Sequence, residues 1–483
     1  MQPIDGTARR TWLKSGCASF CASLMLLSAC AVGEDYIPAV PPVEAQWEVP
    51  HASSDAITTI RGAWWEQFND PMLTQLITTA TARNNDLKVA AARIDEARAA
   101  QAAAYSAFFP QVSATGSGKR GTLGGSFENQ PDNSWQAGVN GAWDIDIFGG
   151  NRRRDEAAAA ATEATMAEAA QTRLQLVEEV ARNYVRLRGL QQQMLLTEKN
   201  IKLQEQTLTI TRAQYKERVV TRLDVLRAQA QMKRTQTRVP QIRQETDAVL
   251  NRLAVLLDDT VTHLRAQLPP TPLPTIPAAM VADTPLETMR ARPDVAIAER
   301  RLAQATALSG AAFAEFFPKL SLDGFFGRSG SDQFGTLNPW SVAANAAFPV
   351  LNFGRIQAQV DSADARQKQA YYSFRQTVLA AVADVEVAFS AYRHERDRKQ
   401  TLVQIAKEQA EAVLVAKTQY TNGLVPQLDL LDAEQNLLEA DTSVVQSEVA
   451  ALENTITLYT ALGKTDGTVT DGQLPAHGLI SLP

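Results

Sequence analysis

Apolar and polar side chains alternate along two stretches of the chain, at residues 134–147 and 340–350. Alternation over ten or more residues is typical of a β-strand with one apolar face and one more polar face. A less regular candidate strand precedes each stretch, at about 110–119 and 318–327. The pattern therefore predicts four strands, arranged as two pairs.

A helical period follows each strand pair. Residues 355–422 contain neither Gly nor Pro, and residues 151–218 contain only Gly189. Apolar side chains step by four and three residues in both stretches, and from Leu431 to Tyr459 they step by seven, which is typical of a coiled-coil seam. A helix that fills either stretch would be about 100 Å long. We therefore predict two long helices that pack through seams.

The elements occur twice in the same order. Phe108-Phe109-Pro110 returns 208 residues later as Phe316-Phe317-Pro318, and the Ala-rich helix predicted at 85–107 returns at 293–315. Further matches lie 205 residues apart: Trp135 with Trp340, Phe148-Gly149 with Phe353-Gly354, Tyr215 with Tyr420, and Leu223-Asp224 with Leu428-Asp429. The sequence thus predicts an internally duplicated α+β protein. We assign residues 64–268 to the first repeat, 269–282 to a Pro-rich linker, 283–464 to the second repeat and 465–483 to a C-terminal tail.

The strand count has a consequence for assembly. Four strands cannot close a membrane β-barrel, which needs at least about eight, and an open sheet edge is not viable in lipid. If the strands face lipid, several chains must contribute to one barrel, with eight strands in a dimer and twelve in a trimer. The alternative is a soluble α+β protein in which the alternating segments form ordinary sheets.

The N-terminus has the pattern of an export signal. Basic residues at Arg9, Arg10 and Lys14 precede a short apolar stretch that ends in Leu27-Ser28-Ala29-Cys30. The arrangement resembles a bacterial lipobox and predicts a signal peptide over 1–29, lipidation of Cys30, and an extended tether over 30–63. An ordinary signal peptide with a chance cysteine is the alternative. The paired arginines also resemble a twin-arginine signal, which leaves the export route open.

Composition narrows the class of protein further. All three cysteines lie within the first 30 residues, so the mature chain is not expected to form a disulfide. The net charge of −6 argues against a nucleic-acid partner. The four histidines are far apart in the sequence and lack the spacing of metal ligands. We therefore expect no catalytic residues, no metal site and no cofactor.

Together, the lipobox, the two Phe-Phe-Pro turns and the two Phe-Gly entries into long helices resemble the outer-membrane factor family. The likeness to these TolC-like channels extends from Trp64-Trp65 to Leu462-Gly463 and is strongest to the OprM/NodT-type lipoprotein branch. The resemblance implies a homotrimer with a twelve-stranded barrel in outer-membrane lipid and a periplasmic α-barrel of long helices. It also implies a periplasmic adaptor partner and an inner-membrane transporter, often of the resistance-nodulation-division class. In that family each long helix lies beside two shorter, stacked helices, here at 85–107 and 221–258, and Pro240 is expected to bend the second.

The turns at the far ends of the long helices are the predicted functional sites. The resemblance implies that the adaptor contacts Val219, Val220 and Thr221 on one turn, and Gly423, Leu424 and Val425 on the other. Capped helix ends would have the same residue types, so the turns can also be read as purely structural.

The resemblance also implies a periplasmic gate at Leu428, Asp429 and Asp432. Helix capping is the alternative role for Asp429, because its duplicate is Asp224. Asp432 has Arg227 as its duplicate and lacks that alternative. The sequence departs from the family pattern at Val425, where TolC-type channels carry a latching arginine; Arg222 and Arg227 on the other turn are candidate substitutes.

The predicted function is passive export of small molecules through the outer membrane as part of a tripartite pump. A type I protein-secretion duct has the same fold and is the first alternative. A lipid-anchored coiled-coil scaffold or adhesin without a pore is the second, and the apolar strand at Trp135 argues against it.

Overall fold

A computed structural model describes residues 32–38, 63–122, 131–276, 284–332 and 335–463, together with positions 41, 43–44 and 46–47. The predicted signal peptide (1–29), Cys30 and the predicted tail (465–483) lie outside these described residues, as do parts of the tether and the linker.

The elements follow the predicted order. A short 3-10 helix at Trp64–Phe68 precedes the first α-helix. The α-helices are α1 (Pro71–Arg83), α2 (Asn85–Ser106), α3 (Gly150–Lys216), α4 (Arg222–Gln236), α5 (Arg238–Leu257), α6 (Val261–Gln267), α7 (Pro285–Ala291), α8 (Pro293–Ala314), α9 (Arg355–Thr421) and α10 (Gln427–Ala461). The strands are β1 (Gln111–Thr122), β2 (Pro131–Ile145), β3 (Lys319–Ser331), β4 (Gly335–Leu337) and β5 (Trp340–Ala347).

The element bounds repeat with the offsets read from the sequence. Helix α8 begins and ends 208 residues after α2, and α9 begins and ends 205 residues after α3. Each long helix has 67 residues, and neither is interrupted by a proline. The predicted effect of Pro240 is also present: the first repeat has a break at Thr237, between α4 and α5, whereas the equivalent α10 is continuous.

The chain divides into two compact units, and each takes residues from both repeats. The first unit comprises residues 1–40, 92–166 and 297–375 and contains one antiparallel sheet. Its strands are ordered β1-β2-β3-β4, and β5 also pairs with β3. The fourth predicted strand is present as β5, which pairs with residues 319–326, and the short strand β4, which pairs with residues 329–331, precedes it and was not predicted. Pro339 lies between β4 and β5 and cannot donate a ladder hydrogen bond.

Large apolar side chains are exposed on the sheet. Trp340 and Val342 on β5 are 73% and 70% exposed, and Trp135 and Val139 on β2 are also exposed. The alternation that predicted these strands therefore places apolar side chains on an uncovered surface of the first unit.

The second unit comprises residues 41–91, 167–296 and 376–483 and holds the main hydrophobic core. Trp64 stacks on Tyr459 with 5.3 Å between ring centroids, and the Tyr459 hydroxyl donates to Gln67. The predicted seam of α10 is buried at Leu431, Leu438, Val445, Leu452 and Tyr459. Close packing explains the glycine in the middle of α3: a Cβ on Gly189 would lie 2.4 Å from a methyl carbon of Val449 on α10. Among the described residues, we find no helix that is both long and apolar enough to cross a bilayer.

Candidate gate and adaptor surface

The two predicted turns lie in the second unit and share one backbone design. At the end of α3 the N–H of Val219 donates to the carbonyl of Gln214 at 2.9 Å, and at the end of α9 Leu424 donates to Gln419 at 2.9 Å. Both bonds close a left-handed helix end of the Schellman type. The left-handed residue is Arg218 (φ 61°) in the first turn. In the second turn it is a glycine.

The first turn continues into a capping box. The hydroxyl and the backbone N–H of Thr221 donate to the Asp224 carboxylate at 2.7 and 2.8 Å, and Thr221 accepts from the Asp224 N–H in return. These hydrogen bonds from Thr221 hold the pKa of Asp224 below its ordinary value, with help from the nearby charge of Arg227. Asp224 therefore has a structural role at the N-terminus of α4.

The second turn uses its equivalent residue differently. Helix α10 begins after Pro426, which makes no side-chain cap. Leu428, Asp429 and Asp432 are exposed, and Leu428 is 46% exposed. Within the described part of the chain, neither carboxylate has a hydrogen-bond or ion-pair partner. The capping alternative for Asp429 therefore has no support from these contacts.

The three predicted gate residues occupy one face of α10. Their spacing of one, three and four residues keeps them within about a third of the helix circumference. The neighbouring Leu430, Leu431 and Glu434 are buried and point elsewhere. The first two turns of α10 thus combine a buried face with an exposed face that is apolar at one position and acidic at two.

The predicted adaptor residues are also largely exposed. Val219 and Leu424 are 69% and 73% exposed, Thr221 and Gly423 are exposed, and Val220 and Val425 are half-buried. Of the two candidate substitute arginines, Arg227 lies close to Asp224 on its own helix. The role of Arg222 and Arg227 as substitutes for the latching arginine stays a prediction.

A buried polar seam behind the turns has no counterpart in the sequence predictions. The Thr207 hydroxyl donates to Glu434 at 2.7 Å, and the Gln427 amide donates to the Thr211 hydroxyl at 2.8 Å. All four side chains are buried. Beside them, the Tyr420 hydroxyl donates to Gln214 at 2.7 Å. Burial raises the pKa of Glu434, and the hydrogen bond from Thr207 and the charge of Lys417 only partly oppose this.

Sequence reasoning missed this seam because a heptad pattern is read from apolar residues. Thr207 and Thr211 lie four residues apart on α3, and the polar residues facing them on α10 lie seven apart, at Gln427 and Glu434. A search for polar residues at seam spacing would have found them. Within the described residues, no group of three or more His, Cys, Asp or Glu side chains is placed to hold a metal ion.

Comparison with known proteins identifies the family. The family described as outer membrane efflux protein matches residues 76–258 and 286–464. Nodulation protein T of Rhizobium leguminosarum bv. trifolii is 30% identical over 448 residues, covering 91% of this chain and 94% of that protein. The pyoverdine export outer membrane protein OpmQ of Pseudomonas putida is 29% identical, covering 91% and 95% of the two chains. The structure of the outer-membrane channel OprN aligns with a TM-score of 0.84 and 33% identity, covering 90% of this chain and 99% of OprN.

The chain belongs to the outer membrane efflux protein family. It is the outer-membrane component of an efflux pump, with the TolC-like protomer fold and a periplasmic extension. These results confirm the predicted family, fold class, pump role and location. The relatives are channel proteins rather than enzymes. The assignments of individual residues, the tether and the repeat bounds stay predictions.

Proposed function

We propose that three copies of the chain form a passive exit duct for small molecules, gated at Leu428, Asp429 and Asp432. The observation that carries this proposal is the exposed, unpaired face of α10 at the second turn. Trimers are typical of the family. A threefold arrangement would bring three copies of this face to one level, where it would line an aperture.

The electrostatics of such an aperture define its resting state. Asp429 and Asp432 would supply six carboxylates in a small volume, and like charges at short range repel one another and attract cations. Contacts other than these carboxylates must hold the closed state. Leu428 is the apolar residue of the face, and its packing against the two symmetry-related leucines would stabilise closure. Added salt or bound cations would weaken the repulsion.

The exposed turns are the proposed contact with a periplasmic adaptor. Val219 and Leu424 are apolar, largely exposed and at equivalent positions of the two repeats. The adaptor would contact Val219, Val220 and Thr221 on one turn and Gly423, Leu424 and Val425 on the other. This contact would bury the two exposed apolar side chains, Val219 and Leu424. The inner-membrane partner would be a transporter of the resistance-nodulation-division class.

Lipidation of Cys30 is proposed as the membrane anchor, from the lipobox-like residues 27–30. Palmitate labelling of cells that express the wild type and Cys30→Ala tests it, with label expected only in the wild type. Equal label in both proteins would refute it. Because the sheet provides a second attachment to the membrane, part of the unlipidated protein should still reach the outer membrane.

Single-channel recording on purified protein tests the central proposal. Native mass spectrometry in detergent should give three subunits, and the same preparation should conduct with cation selectivity in planar bilayers. A stable folded monomer, or a trimer without conductance when the gate is opened by substitution, would contradict the duct.

A further inference from the structure

Two arginines lie on the apolar face of the sheet. Directly paired residues of antiparallel strands share a face, and so do alternate residues of one strand. The register therefore places Arg120 of β1 and Arg328 of β3 on the face that carries Trp135 of β2. Both arginine side chains are exposed. Among the described residues, neither guanidinium has an ion-pair or hydrogen-bond partner.

The two arginines occupy equivalent positions of the two repeats. The offset of 208 residues that relates the Phe-Phe-Pro turns also relates Arg120 to Arg328. The residues just before them differ, since residues 117–119 are Ser-Gly-Lys and residues 325–327 are Phe-Phe-Gly. Both repeats therefore carry a cation at this one position of the apolar face, although the strands around it have diverged.

The height of the arginines on the sheet follows from the strand length. Strands β1 and β3 run away from the ends of α2 and α8, and the helices form the periplasmic extension, so the far ends of these strands face the exterior. Each arginine comes ten residues after the proline of its turn, Pro110 or Pro318. Ten strand residues span about 33 Å, or about 25 Å of height at a tilt of about 40°, which matches the apolar band of an outer-membrane protein. Arg120 and Arg328 therefore lie at the outer boundary of the lipid.

Aromatic side chains mark the same boundary. Trp135, Phe326 and Trp340 are exposed on this face, and Phe326 is two residues before Arg328. The Trp135 indole covers Gly330, where a Cβ would lie 2.7 Å from its Nε1. Aromatic rings are enriched where a membrane protein passes from lipid to water. Their position agrees with the height of the arginines.

The arginines at this boundary lack an anion from their own chain. Asp332, at the same end of the sheet, accepts a hydrogen bond from the Asn133 amide at 2.6 Å and pairs with neither arginine among the described contacts. A cation on a lipid-facing surface is tolerated where it reaches the polar head groups. The guanidinium group stays charged and binds phosphate through two parallel hydrogen bonds. The missing anion is therefore best supplied by a phosphorylated head group.

We propose that Arg120 and Arg328 form a binding site for the phosphate groups of the phosphorylated glycolipid in the outer leaflet of the outer membrane. The acyl chains of that lipid would lie along the apolar face below, beside Phe326 and Trp340. The site requires only that the sheet lies in the membrane. It therefore stands or fails independently of the proposed gate.

Native mass spectrometry of the purified full-length protein in detergent tests the site with diphosphorylated lipid A as the probe. The wild type should retain the lipid, and should retain fully dephosphorylated lipid A at least tenfold less. Arg120→Gln and Arg328→Gln should each lower the bound fraction several-fold, and the double variant at least tenfold. The matched control is Lys119→Gln, on β1 beside Arg120 but on the opposite face, and it should bind like the wild type.

Three results would overturn the proposal. Equal retention of dephosphorylated lipid A, or an equal loss in Lys119→Gln, would show that the two arginines do not recognise phosphate. Equal retention of phosphatidylglycerol would show a surface for any anionic lipid. Retention of inorganic phosphate alone, lost in the arginine variants, would show an anion site without a lipid. Because either arginine can be replaced separately, one variant that fails to fold does not prevent the test.

Discussion

The two helix turns have the same backbone and different side-chain chemistry. Both close with a bond between equivalent residues, yet Asp224 on the first turn is bound to Thr221, whereas Asp429 on the second has no partner within the described residues. The difference arises because Pro426 occupies the place of Thr221 and offers neither a hydroxyl nor an N–H. Duplication has thus supplied a turn that is stable without its acidic residue, and the second copy leaves that residue available for another role.

The largest expected effect is a difference in conductance between variants of Leu428 and variants of its duplicate Leu223. Leu428→Gly should raise the single-channel conductance several-fold and should increase entry of large antibiotics, because it removes the apolar contact proposed to close the duct. Leu223→Gly is the matched control, since Leu223 is similarly exposed on the first turn. Bilayer recording and antibiotic susceptibility measure both, and an equal leak from the two variants would show that the turns are not specialised.

The second prediction compares the gate aspartates, Asp429 and Asp432, with the capping aspartate Asp224. Asp429→Asn and Asp432→Asn should each reduce cation selectivity and block by multivalent cations, measured as reversal potentials in a salt gradient. Asp224→Asn should leave selectivity unchanged and instead destabilise α4 by about 1 kcal/mol through loss of the capping box. Unaltered selectivity in both gate variants would make these residues ordinary helix-end charges.

The third prediction concerns the buried Glu434, whose duplicate is Gln229. Its pKa is raised in the folded state, so folding favours the protonated form, and the stability it contributes at low pH is lost as the pH rises through the folded-state pKa. Glu434→Gln stays neutral and keeps an oxygen for Thr207. Its stability should match the wild type in acid and exceed it by about 1 kcal/mol at alkaline pH.

Thermal unfolding in detergent across this pH range measures the effect. Glu439→Gln on the exposed side of α10 is the control and should show no such trend. A wild type whose stability rises with pH relative to Glu434→Gln would contradict the assignment.

The smallest expected effect concerns the left-handed residues of the two turns. Arg218→Gly relieves a conformation that glycine adopts freely and should stabilise the first turn by less than about 1 kcal/mol. Gly423→Ala imposes the same strain on the second turn and should destabilise it by about 1 kcal/mol. We expect the two changes in the free energy of unfolding, measured by chemical denaturation, to have opposite signs. Equal signs would show that the turns differ in backbone as well as in side chains.

Local patterns were sufficient to predict much of the fold. The absence of proline predicted the bounds of both long helices to within a residue or two of those observed, and the apolar–polar alternation predicted β2 and β5. Strand β4 was missed because its 3 residues are too few to show a period. The seam at Glu434 was missed for another reason: a heptad pattern is read from apolar residues, whereas Thr207, Gln427 and Glu434 are polar.

The equal lengths of α3 and α9 couple the evolution of the two repeats. Both helices have 67 residues and deliver the two turns to the second unit. A heptad inserted in one helix alone would shift its turn by about 10 Å along the axis while nearly preserving its buried face. A heptad inserted in both would shift the turns together. A change in the length of the long helices is therefore expected only when both repeats gain or lose the same number of heptads.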